Sequence, residues 1–204
     1  MCSSDLNSVV LVADTGNNVI RRISAGVLGT IATPVALGGL SAPRGVVVSS
    51  TNIFVADTGK HRIVSVSGTG STLAGSGSAF SIDGVGLGAS FHTPSGITVD
   101  GYGNFYVTDA FGVCKIRRVT PLGEVRTIGG SVPGYLDNDS AGTLARFFQP
   151  RGLVADGFGS VFVADEGNNS VRLIAPYQTS TPTNAFLAVF PFNGPTNAQQ
   201  IGRA

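Results

Sequence analysis

Short apolar runs alternate along the chain with clusters of Gly, Asp, Asn, Ser and Thr, and the runs keep a period of two. Four of them lead into an aspartate: Val10-Leu11-Val12-Ala13 before Asp14, Ile53-Phe54-Val55-Ala56 before Asp57, Phe105-Tyr106-Val107-Thr108 before Asp109, and Val161-Phe162-Val163-Ala164 before Asp165. β-Branched and aromatic residues bounded by turn formers predict strands. A second run follows each aspartate after a turn, from Val19, Arg62, Lys115 and Ser170. Its apolar residues fall at alternate positions, which marks one buried face. Upstream, Pro43-Arg44-Gly45, Pro94-Ser95-Gly96 and Pro150-Arg151-Gly152 each open a further apolar run, 14, 15 and 15 residues before the aspartate. Its near-uniform hydrophobicity predicts an innermost strand buried on both faces. The links Asp100-Gly101-Tyr102-Gly103-Asn104 and Asp156-Gly157-Phe158-Gly159-Ser160 read as hairpin turns, and 26–32, 71–74 and 123–129 as a fourth strand.

The aspartates recur after 43, 52 and 56 residues. Repeats of this length point to a solenoid or propeller, and four antiparallel strands per unit make a propeller blade. The predicted fold is therefore an all-β β-propeller with blades at 9–32, 43–75, 94–130 and 150–175, the first without its Pro-x-Gly strand. Longer elements run from Asp83 to Pro94 and from Asp139 to Pro150, with aspartate, glycine, alanine, phenylalanine and proline repeated at a common offset of 56. Residues 1–8 carry no repeat signal and are expected to be a disordered or artefactual N-terminus. Residues 176–204 read as a Ser/Thr/Pro/Asn-rich tail, in which Phe186 to Phe190 is a candidate closing strand.

Composition narrows the partners. The 204 residues are 42% hydrophobic, enough for a core, but only 12% charged with a net charge of +1. Phosphate binding by counterion release needs a basic surface, so nucleic acid is not an expected partner. The 29 glycines and 10 prolines fit many short strands joined by tight turns. Cys2 and Cys114 make neither a disulfide framework nor a CxxC site. The stretch from Ile23 to Pro43 is long enough to span a bilayer but is interrupted by glycine and proline, so no membrane segment is read there. No basic region followed by an apolar run opens the chain.

Candidate chemistry is sparse. His61 and His92 occupy non-equivalent repeat positions and bring no obvious third zinc ligand, so they read as turn residues. Asp14, Asp57, Asp109 and Asp165 could serve a hard cation, but one per blade at a strand end suits a structural turn, the carboxylate accepting from backbone N–H groups two residues on. Asp83, Asp137 and Asp139 read likewise, and no Gly-x-Ser-x-Gly elbow is present. Neither metal nor cofactor nor catalytic residue is assigned. Arg44 and Arg151, each between a proline and a glycine, fall near one mouth of a propeller channel together with Ser95 at the equivalent position. These three are the candidate ligand-binding residues, for an acidic group or for pairing with nearby carboxylates. Arg21, Arg22, Arg117 and Arg118 are expected to face solvent or to pack their stems along the sheet.

Residues 83–130 resemble NHL repeats, a pattern of the form DG-x-G-x-x-A-x-F-x-x-P-x-G, an apolar run, D-x-x-G-N-x-Y-V-A-D and then N-x-R-I. The likeness extends over about 9–175. It departs at Ala110-Phe111-Gly112-Val113-Cys114, which lacks the usual asparagine and has one extra residue, and at Ser170. The resemblance implies that the chain is a fragment, roughly three and a half blades, of a six-bladed propeller whose full-length parent is a monomer. It also implies a non-catalytic scaffold presenting a propeller face to a protein or carbohydrate. Because some relatives are metal-dependent lyases or hydrolases and others bind RNA, those readings stay behind it. Asn138-Asp139-Ser140 and Asn168-Asn169-Ser170 match glycosylation acceptors and lean toward an extracellular or cell-surface parent.

Overall fold

The computed structural model describes residues 2–6, 9–31, 33–130, 142–175 and 187–191. Within them lie four antiparallel sheets, whose four main strands run from the inside outward in chain order. The first contains β1 (Cys2–Leu6), β2 (Val9–Asp14), β3 (Val19–Ser24) and β4 (Val27–Ile31), and the second β5 (Gly45–Ser49), β6 (Asn52–Asp57), β7 (Arg62–Ser65) and β8 (Ser71–Ala74). The third adds β9 (Gly84–Val85) to β10 (Pro94–Val99), β11 (Phe105–Asp109), β12 (Lys115–Val119) and β13 (Glu124–Gly129). The fourth holds β14 (Pro150–Ala155), β15 (Val161–Asp165), β16 (Ser170–Ile174) and β17 (Leu187–Pro191).

Two strands lie outside the blade ranges read from the repeat, β1 without a strand pattern and β17 on the apolar run expected to close the last blade. Residues 1–8 were expected to be a disordered or artefactual N-terminus; within them β1 pairs with β2 from Cys2↔Val12 to Leu6↔Val9 and takes the inner-strand place of the first blade. Serines and an aspartate carry no strand signature, and it is backbone pairing to the apolar β2 that makes the strand. At the other end β17 pairs with β16 from Ser170↔Pro191 to Ile174↔Leu187, so the fourth strand is reached through a long link. The short β9 caps the outer edge of the third blade by pairing with β13. Asp137, Asp139 and the acceptor triplet at Asn138 lie outside the described residues.

Alternation decides how the blades stack. In β6 the Val55 side packs with Leu11, Ala13 and Ile20 of the first blade, while Ala56 and Phe54 face Ile97, Phe105 and Val107 of the third. Tyr106, Cys114 and Ile116 then meet Phe147, Val161 and Val163 of the fourth. Each interior blade is therefore apolar on both faces, as continuous rather than alternating burial requires. The glycines of the Pro-x-Gly entries bring the inner strands close. A Cβ on Gly45 would strike the carbonyl of Ser95, and one on Gly96 would strike the carbonyl of Arg151 and come within 2.6 Å of Leu153 Cδ2. Side-chain hydroxyls tie the same strands together: Thr15 Oγ1 donates to Pro43 O at 2.7 Å, Thr58 Oγ1 to Pro94 O at 2.6 Å and Thr108 Oγ1 to Arg151 O at 2.9 Å.

Candidate functional site

The aspartates that end β2, β6, β11 and β15 are structural pins. Asp57, Asp109 and Asp165 are fully buried. Each accepts backbone N–H bonds from the segment leading into its own inner strand: Ser41 N to Asp57 Oδ1 at 2.7 Å, Thr93 N to Asp109 Oδ1 at 2.6 Å, and Phe148 N to Asp165 Oδ1 at 2.8 Å. From the sequence these carboxylates were expected to accept from N–H groups two residues on; the backbone donors instead lie 16 or 17 residues upstream. The local form occurs instead at the opposite rim, where Tyr102 N donates to Asp100 Oδ1 and Phe158 N to Asp156 Oδ1.

Each pin also takes an arginine from the next strand. Arg21 pairs with Asp14 and Arg62 with Asp57, both at 2.9 Å, Arg117 with Asp109 at 3.3 Å and Arg172 with Asp165 at 3.2 Å. Arg117, expected to face solvent or to pack its stem along the sheet, is fully buried over the Phe91 ring, with its second nitrogen on Asp83 at 2.8 Å. Arg172 repeats this over Phe147. The desolvation of a guanidinium is offset by a carboxylate on one side and an aromatic face on the other. Burial pushes Asp165 up from the ordinary carboxylate value against the bonds from Asn168, Phe148 and Arg172. Asp83 is less enclosed; burial raises it, but bonds from Thr127 and the Arg117 charge hold it below that value.

With the aspartates committed to the fold, the cationic entry residues remain. Arg44 and Arg151 stand at the Pro ends of the second and fourth blades, and Ser95 stands between them at the third. All three line one open cleft of about 220 Å³, together with Thr15, Gly96 and Phe111. Phe111 comes from the one irregular turn. Asp14, Asp57 and Asp165 are each followed by a 3-10 turn of three residues closed at a left-handed Asn18, His61 or Asn169. After Asp109 the extra residue delays the left-handed position to Cys114. The resulting loop is pinned by Ala110 N to Thr93 O at 3.1 Å and by Phe111 N to Thr93 Oγ1 at 2.7 Å. The guanidinium carbons of Arg44 and Arg151 lie 5.5 and 5.7 Å from the centroid of its ring.

The three predicted residues differ in what they leave free. Ser95 is only 8% exposed, and its hydroxyl meets Thr108 Oγ1 at 2.9 Å, so it belongs to the floor. Half-exposed Arg151 makes an ion pair through Nε with Glu166. Arg44 is exposed, and among the described residues no carboxylate pairs with it. Phe111 was not a candidate from sequence, although the departure of its turn from the repeat was the available signal. His61 and His92 stay in turns, His61 Nδ1 meeting the His92 carbonyl at 2.5 Å. Among the described residues no three His, Cys, Asp or Glu side chains come together in a way that could hold a metal ion. No helix among them is long and apolar enough to cross a membrane.

Four-stranded antiparallel blades stacked face to face, inner strands against inner strands, define a β-propeller. Solved structures share this arrangement. A protein of unknown function from Bacteroides thetaiotaomicron superposes with a TM-score of 0.66 at 25% identity, covering 81% of this chain and 44% of the other. An auxiliary nutrient binding protein from the same organism gives 0.65 at 21%, covering 83% and 46%. Virginiamycin B lyase from Staphylococcus aureus gives 0.60 at 17%, covering 93% and 54%. The chain thus spans about half the length of these structures. No protein-family model and no curated protein sequence matches it.

Proposed function

We propose that the chain is part of a non-catalytic NHL-type recognition scaffold, and that it takes part of a protein or carbohydrate ligand into the cleft between Arg44 and Arg151. The observation that carries this reading is the convergence of Arg44, Phe111 and Arg151, from three successive blades, on one small opening. Arg151 is paired with Glu166, whereas among the described residues no carboxylate pairs with Arg44, whose guanidinium is open to a partner. The rigid blades hold these side chains apart at fixed spacing, which lowers the ordering cost of binding. A nutrient binding protein among the structural neighbours is consistent with a propeller used for recognition, although fold alone names no ligand.

Glycan and peptide arrays probed with the wild-type chain, then with the Arg44→Ala, Arg151→Ala double variant, test the proposal. The expected result is loss of the retained ligands with an unchanged β circular-dichroism spectrum, because exposed substitutions shift stability by roughly 0.5 kcal/mol or less. Undiminished binding by the folded double variant would refute it, and unfolding would assign the arginines to structure.

A further inference from the structure

We propose that the cleft selects a carboxylate carried by a sugar acid, and that Glu166 competes with it for Arg151; the inference rests on the recognition reading above. Two forked guanidiniums face one opening, and planar guanidinium matches a carboxylate through paired N–H donors. Only one of them is balanced from within. Glu166 supplies that balance from a place in the repeat where the first two blades have Thr15 and Thr58, whose hydroxyls bridge to the next inner strand. Glu166 makes no such bridge among the described residues; what its carboxylate does is sit on Arg151. The side chains of Arg151 and Glu166 are 50% and 53% exposed, so their pair is weak and exchangeable.

The lining favours a sugar over a peptide. A peptide added in extended form needs free backbone donors and acceptors. Here Arg44 N donates to Ala56 O, Gly96 N to Thr108 Oγ1, Ala110 N to Thr93 O and Phe111 N to Thr93 Oγ1. With these four donors engaged, the side chains that face a ligand are two cations, an aromatic ring and the accepting oxygen of Thr15. A cleft of about 220 Å³ lies below the usual range of small-molecule pockets, roughly 300 to 1,000 Å³, and fits a single terminal ring.

Titration of the isotopically labelled chain with D-glucuronate, D-glucose, acetate and tetraglutamate, followed at the Phe111 ring and Arg44 Nε resonances, tests this. Glucuronate should shift both saturably, acetate weakly, and glucose not at all at the same concentrations. Arg44→Gln should weaken glucuronate about tenfold, and Glu166→Gln should tighten it about two- to fivefold, the range of an exposed ion pair. Glucose binding as well as glucuronate would overturn the carboxylate selection while leaving a recognition cleft in place. Tighter binding of tetraglutamate than of glucuronate would overturn the sugar assignment, and an unchanged or weaker Glu166→Gln complex the competition. If no probe shifts the cleft resonances the inference falls, whereas the recognition reading falls only if array ligands survive loss of both arginines.

Discussion

Replacing Arg117 by methionine tests whether the buried pins hold the blades together. The guanidinium has no solvent exposure and contacts Asp109 at 3.3 Å, Asp83 at 2.8 Å, Ser81 Oγ at 2.9 Å and Ser90 O at 3.2 Å above the Phe91 ring. Methionine keeps most of the apolar stem but leaves the buried Asp109 carboxylate without its cation. Removing one partner of a buried pair costs about 3–5 kcal/mol. Asp109 retains the N–H bonds from His92 and Thr93, which places the expected cost near 3 kcal/mol. The same change at Arg21, whose pair with Asp14 is solvent-screened, should cost far less. Urea denaturation followed by circular dichroism measures both, with ΔΔG read from the midpoint at constant slope. The double variant Arg117→Met, Asp109→Asn should cost less than the sum of its singles by about 2 kcal/mol, because neither charge is then left alone. Equal costs at Arg21 and Arg117, or additive singles, would refute the reasoning.

Gly96→Ala should destabilise by about 1–3 kcal/mol, since the new methyl meets the Arg151 carbonyl and Leu153; differential scanning fluorimetry should show Tm falling by about 5 °C. As it stands, the chain should self-associate through the outer face of the fourth blade, where Val154 is 58% and Phe162 38% exposed, and sedimentation velocity showing a monomer at all concentrations would count against this. Stability should fall on acidification. Asp14, held low by Asn17 and Arg21, Asp156, held low by Ser160, and Asp83 have folded values below their unfolded 3.8, so their contribution is present above that value and lost as pH falls through the folded ones. Asp165, raised by burial, acts with the opposite sign, and its replacement by Asn should steepen the acid loss in urea midpoints measured from pH 6 to pH 3.

What was legible in the sequence follows from how each feature is encoded. The blades were readable because period-two alternation and the Pro-x-Gly and aspartate register each repeat, and Pro94↔Asp109 and Pro150↔Asp165 are direct cross-strand partners. The β1 strand was not readable, because its pairing is specified by β2 and its own residues have no β preference. For Arg117 the sequence left two places open, toward solvent or along the sheet, for a related reason. On a strand, alternation assigns a residue to a face but does not say that the face meets another blade. Arg118 alternates with Arg117 and is only partly buried, so two adjacent arginines with identical propensity differ because Phe91 and Asp83 arrive from a distant segment.

The repeat and the cleft are connected by a small asymmetry. Where the turn after the aspartate is regular, it spends its residues on closing itself and bonding to the next inner strand, as Thr15 and Thr58 do. In the third blade Ala110 stands where those threonines would be, and Thr108 takes over the bridge to Arg151 O from within β11. The turn is thereby released from that duty, and its extra residue carries Phe111 into the space over Ser95. An arginine at position 95, as in the flanking blades, would fill this space and repel its neighbours; serine leaves room for the ring and turns its own hydroxyl to Thr108. Two arginines one blade removed on either side then share a single aromatic ring. The cleft opens where the repeat is broken, because there the turn is released from bonding to the next inner strand.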